Sequence, residues 1–245
     1  MSEKKASSTH KESETFQRIE RLEDADFEIL GEEVQEFDLT FKLIVLGNSG
    51  VGKSCITFKA IKKQFSEEHQ VTLGFEFFSF YVRINNKHIQ LQIWDTCGME
   101  LYRSLISSFY KDSALALLVY SVNDMKSFED ISKWLTDVKT QSQPDIKTIL
   151  IGNKTDLEHE RAVSTEDGQM FQKENQLDLF VETSAKSGDN IETTFLEAAR
   201  ILYNNYIDVL SMSRRSSMDS TLRSENFKLP KPKHKNKDKN KGCCG

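Results

Sequence analysis

With 245 residues, 38% of them hydrophobic and 29% charged, the chain has apolar material for one domain of ordinary size plus tails. Its longest unbroken apolar run, Ala114 to Tyr120, is seven residues, far short of the ~20 that span a bilayer, and no apolar run follows Met1 as a secretory leader would require. The net charge of −5 is unevenly spread, at −7 over residues 1–40, −5 over 41–210 and +7 over 211–245.

The four cysteines (Cys55, Cys97, Cys243, Cys244) have neither the spacing of a disulfide framework nor that of a C-x-x-C metal knuckle, and the five histidines are scattered. Reduced thiols and a cytosolic start are expected.

In chain order, residues 1–38 show no sustained period. "FEIL" is a small apolar island in an acidic arm that is expected to be mostly disordered. From Phe41 to about Leu210, short β-type runs alternate with helical patterns, which predicts a parallel sheet covered by helices on both faces. "FKLIVLG" is the first strand, and "FEFFSFYVRI" and "HIQLQIWD" are the next two, antiparallel across the turn at "NNK". "ALALLVYSV", "KTILIGN" and "LFVETSA" are the continuous apolar runs of strands buried on both faces.

Phe128, Ile131, Leu135 and Val138 place one apolar stripe on a helix beginning near Ser127. Ile191, Phe195, Ala198, Leu202 and Tyr206 do the same for a final helix, with Asn190 as its cap. These stripes are core packing. Residues 211–245 are rich in Ser, Lys and Asn with no apolar face, and read as a flexible basic tail that cannot repay the entropy of folding.

The chemistry begins at "GNSGVGKS", Gly47 to Ser54, which fits G-x-x-x-x-G-K-[ST] between a strand and a helix. Tight turning at Gly47, Asn48, Ser49, Gly50, Val51 and Gly52 would aim main-chain N–H groups at phosphate oxygens, and the helix start at Lys53, Ser54 and Cys55 adds its partial positive charge. Lys53 would bridge β- and γ-phosphates and the Ser54 hydroxyl would hold Mg²⁺. This motif serves ATP and GTP alike.

The base is chosen by "NKTD", Asn153, Lys154 and Asp156, at the carboxyl end of a buried strand. A carboxylate accepts from both N1–H and the exocyclic amine of guanine, an edge that adenine lacks. "ETSAK" follows the next strand with Ser184, Ala185 and Lys186, the Ala185 amide being suited to the guanine oxygen. Both motifs after the correct strands of a P-loop chain make a strong joint signal.

On these residues, positions 41–210 resemble a Ras-superfamily small GTPase, most of all a Rab. "LVYSVNDMKSFEDISKW" and "LQIWDT" are similar to Rab patterns, and the double-cysteine ending fits Rab where Ras would carry a C-a-a-X box. The resemblance implies an α/β P-loop fold of five helices and a mostly parallel six-stranded sheet. With the acidic arm and basic tail read from composition, the chain divides into an arm at 1–38, a GTP-binding domain at 39–210 and a tail at 211–245.

By the same resemblance, Thr72 closes on Mg²⁺ and the γ-phosphate, Asp95 holds Mg²⁺ through a water, and the Gly98 amide senses the γ-phosphate. Phe65 either stacks on guanine or is simply core. Where the family has "DTAGQE" the chain reads "DTCGME": Cys97 stands for alanine, and Met99 for the glutamine that orients the attacking water. A thioether donates no hydrogen bond and accepts one poorly, so unaided hydrolysis is expected to be slow.

Two readings follow. One is a hydrolysing switch helped by a TBC-type activating protein that brings a glutamine and an arginine in trans. The other is a hydrolysis-poor GTP-bound recruitment adaptor. A Ras-like signalling GTPase outside traffic is a further alternative. "KLPKPKHKNKDKNKGCCG" carries seven lysines for an anionic membrane, and Cys243 and Cys244 resemble geranylgeranylated Rab cysteines. No aromatics interleave those lysines to stack bases, so nucleic acid is not expected. "RRSS", Arg214 to Ser217, fits a base-directed kinase site or plain linker. The implied partners are an exchange factor, a GDP-dissociation inhibitor and effectors, with the chain a monomer cycling between a membrane's cytoplasmic face and the cytosol.

Overall fold

The computed structural model describes residues 27–31, 36–66, 72, 74–97 and 109–225, with side chains as far as residue 212. Its seven strands are β1 (Phe27–Leu30), β2 (Leu39–Leu46), β3 (Phe75–Ile84), β4 (Lys87–Thr96), β5 (Leu115–Ser121), β6 (Lys147–Asn153) and β7 (Leu179–Thr183). Its α-helices are α1 (Lys53–Lys62), α2 (Met125–Glu129), α3 (Ile131–Gln141), α4 (Thr165–Asn175) and α5 (Ile191–Glu225), with a 3₁₀ turn at Thr155–Glu160.

One sheet holds all seven strands in the order β1-β3-β4-β2-β5-β6-β7. β2, β4, β5, β6 and β7 pair in parallel, while β3 is antiparallel to β4 across a turn where Asn85 takes φ 53°. Period-two alternation decides which face each side chain serves. Leu43 and Val45 point to a core shared with Ile56 of α1 and Phe195 of α5, whereas Ile44 and Leu46 point to one shared with Trp134, Leu135 and Val138 of α3. Since helices cover both faces, every residue of β5 is buried, which is why "LALLVYS" carries no alternation.

The expected six strands become seven because "FEIL" in the acidic arm is a strand. β1 pairs antiparallel with β3, placing Glu28 opposite Arg83, whose Nη2 lies 2.5 Å from its carboxylate. Phe27 and Ile29 turn the other way, onto the α1 side of the core. Four residues are too few to show a period, so the strand is visible only through its partner.

The broken helix α2–α3 starts at Met125, two residues before Ser127, and the Asp124 carboxylate accepts from the Ser127 N–H at 3.3 Å. Asn190 does stand at the head of α5, its carbonyl accepting from Thr194 N–H, but its side chain donates to the Glu182 carbonyl at 2.8 Å and caps nothing. The chain falls into two units, residues 1–205 and 206–245. α5 runs on to Glu225, so part of the stretch read as a structureless tail is helical. Extending a helix already nucleated costs far less than starting one.

Candidate functional site

The carboxyl ends of β2, β5, β6 and β7 face one crevice, and the loops that follow them carry the motifs. After β2 the chain turns with positive φ at Gly47, Gly50 and Gly52 (143°, 79° and 95°). At two of these a side chain has no room: a Cβ on Gly47 would lie 2.1 Å from the Val119 carbonyl oxygen, and one on Gly52 would lie 2.4 Å from Asn153 Nδ2. The turn delivers the chain into α1, whose first turn is capped by no side chain and contains no acid. Its leading N–H groups are thus left for an external acceptor, as phosphate binding at a helix start requires.

Lys53 is 5% exposed, and its ammonium donates to the carbonyls of Gly47 (3.0 Å) and Asn48 (2.9 Å), curled under the loop it serves. Burial pushes its pKa down to about 8, against the pull of Asp95 and Cys97. Asp95, at the end of β4, is fully buried, and burial drives its pKa up to about 6 despite the Ser54 hydrogen bond and nearby Lys53. Both shifts oppose the pair's mutual attraction, so desolvation outweighs it here.

Ser54 Oγ lies 2.7 Å from Thr72 Oγ1 and donates to Asp95 Oδ2, while Asp95 Oδ1 is buried with no hydrogen-bond partner among the described residues. A Thr72–Ser54 hydroxyl pair, joined through Ser54 to a carboxylate with an unmatched oxygen, forms a hard-oxygen set of the kind Mg²⁺ takes. The residues expected to hold that ion therefore do come together.

On the other side lies a cavity of ≈ 290 Å³, lined by Gly50, Gly52, Cys55, Phe65, Asn153, Lys154, Asp156, Ala185 and Lys186, together with Ser66 and Leu157. Lys154 adopts a left-handed φ of 70°, which swings the 3₁₀ turn bearing Asp156 toward it. Asn153 is 1% exposed and works as a bracket. Its Nδ2 donates to the Val51 carbonyl (2.8 Å), and its Oδ1 accepts from Thr183 Oγ1 (3.2 Å) and the Ala185 N–H (3.3 Å). Ser184 Oγ, fully buried, donates to Asp156 Oδ1 at 2.6 Å and aims the carboxylate.

Phe65 packs partly on the core cluster and also lines the cavity. Ser49 is exposed at the loop tip. Gly98, Met99, Cys243 and Cys244 lie outside the described residues. Sequence reasoning missed the partners of the Asn48 side chain: Trp134 and Asp130 on the neighbouring helices each bond it, though Trp134 stood three residues past Ile131 in plain view. It also missed Ser66 and Leu157, which no motif flags.

The model of the Ras family matches residues 42–204. Over 170 residues, 69% of this chain, the sequence is 42% identical to the human "Ras-related protein Rab-4B", covering 79% of that protein. It is 40% identical to the rat "Ras-related protein Rab-4A" over the same share of this chain, covering 78% of that relative.

Proposed function

This chain belongs to the Ras family of small GTPases and is most similar to its Rab members, and from that premise we propose that it is a membrane-anchored GTP/GDP switch in vesicle-mediated transport. The observation that carries the reading is the convergence of three independent motifs on one crevice. Phosphate-facing amides, a Ser54–Thr72–Asp95 oxygen set and an aimed Asp156 carboxylate sit together at the ends of neighbouring strands.

In this reading the cradle from Gly47 to Cys55 grips the polyphosphate, with the third donor of the Lys53 ammonium turned to the β- and γ-phosphates while the other two keep the Gly47 and Asn48 carbonyls. Asp156 accepts from the guanine edge, Ala185 N–H donates to the guanine oxygen, Lys154 and Lys186 flank the base, and Phe65 covers one of its faces. Ser54, Thr72 and Asp95 hold Mg²⁺, which when bound neutralises charge on the β- and γ-phosphates. Gly98 N–H senses the third phosphate. These ties are strongest with GTP and let go when the phosphate leaves.

Hydrolysis by the chain alone is slow in this reading, because Met99 cannot orient water and misplacing a nucleophile by ~1 Å costs on the order of 10²-fold. A TBC-type activating protein would supply the missing group. Met99 also favours the second reading, a GTP-bound recruitment adaptor with little turnover. Single-turnover GTP hydrolysis by the chain and by Met99→Gln, each with and without a TBC-type protein, decides between them. The switch requires acceleration by the activating protein, and a chain that stays GTP-bound with it is the adaptor.

Phe75 and Phe77, 49% and 47% exposed, pack with Trp94 at ring centroids of 5.4 and 5.2 Å, and this apolar surface supports effector docking. No helix among the described residues is long and apolar enough to cross a membrane. Anchoring would fall to geranylgeranyl groups on Cys243 and Cys244, aided by the tail lysines at roughly 1 kcal/mol each near an anionic leaflet. An exchange factor and a GDP-dissociation inhibitor complete the cycle of a monomer.

A further inference from the structure

We propose that Asn48, Trp134 and Asp130 form a latch that positions the Lys53 ammonium, so that the seating of α3 against the phosphate loop sets how fast nucleotide leaves. The inference rests on the nucleotide-binding reading above and adds to it a site of control outside the crevice. Asn48 belongs to the phosphate loop, yet its side chain turns away from it. Its Oδ1 accepts from Trp134 Nε1–H at 2.9 Å, and its Nδ2 donates to Asp130 Oδ2 at 2.9 Å.

Both partners are almost sealed from water, Trp134 at 2% and Asp130 at 4% exposure. They stand one helical turn apart, with the Trp134 N–H bonded to the Asp130 carbonyl, so the two side chains reach Asn48 together. The Asp130 carboxylate is itself fixed by Lys133 (2.7 Å) and Lys126 (3.1 Å). Asn48 is thus clamped by one donor and one acceptor, both immobilised by packing.

The same residue offers its carbonyl to the Lys53 ammonium at 2.9 Å. The Asn48 carbonyl carbon and Cβ share one Cα, so a side chain clamped at its amide holds that Cα in place and restricts the carbonyl to rotation about ψ. Loosening the clamp therefore frees the peptide that aims Lys53, while Asp156 and its base contacts stay as they are. Asn48, Trp134 and Asp130 are positioning residues and reach the phosphates only through this link.

The test measures release of a fluorescent GDP, with Mg²⁺ present, from the full chain and four variants. Trp134→Phe keeps an aromatic ring at the site but deletes the N–H with the smaller ring of the indole, and should speed release about 3- to 10-fold, the worth of one hydrogen bond. Asn48→Asp sets a second carboxylate against Asp130 and should speed it at least about 10-fold. Adding Asp130→Asn to Asn48→Asp exchanges donor and acceptor and should bring release back to within about 2-fold of the unsubstituted chain. Leu135→Ala, on the same helix but away from the loop, should lower the Tm without changing release.

The latch is overturned if Asn48→Asp releases GDP at the unsubstituted rate, if Asp130→Asn fails to rescue it, or if Leu135→Ala accelerates release as much for the same loss of Tm. An unsubstituted chain that takes up no GDP removes the proposed function along with the latch. Tight uptake with an indifferent Asn48→Asp removes the latch alone.

Discussion

The two halves of the crevice are held in opposite ways. In the base half, Asn153 and Asp156 are held by neighbours: Asn153 brackets Val51, Thr183 and Ala185, and Ser184 fixes Asp156. In the phosphate-loop half, the two buried charges are only partly satisfied. Lys53 rests on two carbonyls, Asp95 keeps an oxygen unmatched, and burial has moved the pKa of each toward its neutral form. A satisfied network is rigid and selective, and an over-charged pocket gains most from a ligand of opposite charge. In the proposed function the first half chooses the base and the second holds the phosphates.

That contrast is most sharply tested at Asp156. Asp156→Ala removes the carboxylate that in the proposed function distinguishes guanine, while leaving the phosphate half untouched, so the preference for GTP over ATP should collapse by on the order of 10⁴. Competition of ATP against labelled GTP reads it directly, and an unchanged preference would place base selection elsewhere. The phosphate half answers to Ser54→Ala. Loss of that hydroxyl should weaken Mg²⁺-dependent retention of GDP by about 10- to 100-fold, within the loss typical of a disturbed metal site, and leave the GTP:ATP preference intact. Retention compared with and without Mg²⁺ checks it.

The junction of the two helices over the phosphate loop offers a milder, pH-resolved test. Hydrogen bonds from Lys133, and then from Asn48, hold the Asp130 carboxyl below the usual carboxylate range. A carboxylate whose folded pKa is depressed contributes stability above its unfolded value of about 3.9, and loses it as the pH falls through the folded value. Asp130→Asn should accordingly lower the urea midpoint at neutral pH, with the difference shrinking below about pH 4. A difference that stays constant with pH would mean the lysine contacts carry no weight.

The same contrast explains what the sequence could disclose. The phosphate loop, "NKTD" and "ETSAK" are legible because backbone geometry dictates their letters: Gly47 and Gly52 are required by contacts of 2.1 and 2.4 Å that no other residue could survive. Strands β5 and β6 are legible because two covered faces force continuous apolar runs, and β3 and β4 because their β-type runs flank the "NNK" turn. The Asn48 latch was not, since a hydrogen bond between positions 86 residues apart leaves no local signature. Nor was the reach of α5 to Glu225, whose second half has no apolar stripe of its own and follows from the helix before it.

The smallest effect is expected at β1, the one strand that stands outside both halves. It pairs with Tyr81–Ile84, the end of β3 away from Phe75, which lies opposite Thr96 near the crevice. It buries Phe27 and Ile29 only in part and ties Glu28 to Arg83 at the surface. An exposed pair of that kind contributes at most about 1 kcal/mol, and the half-buried Ile29 adds about 1–2 kcal/mol. Ile29→Asp should therefore lower unfolding stability by about 1–2 kcal/mol in urea while GDP release stays at the unsubstituted rate. Were release to quicken as well, the edge strand would have to communicate along β3 to Thr96 and Asp95, and the crevice could no longer be treated as independent of the arm that flanks it.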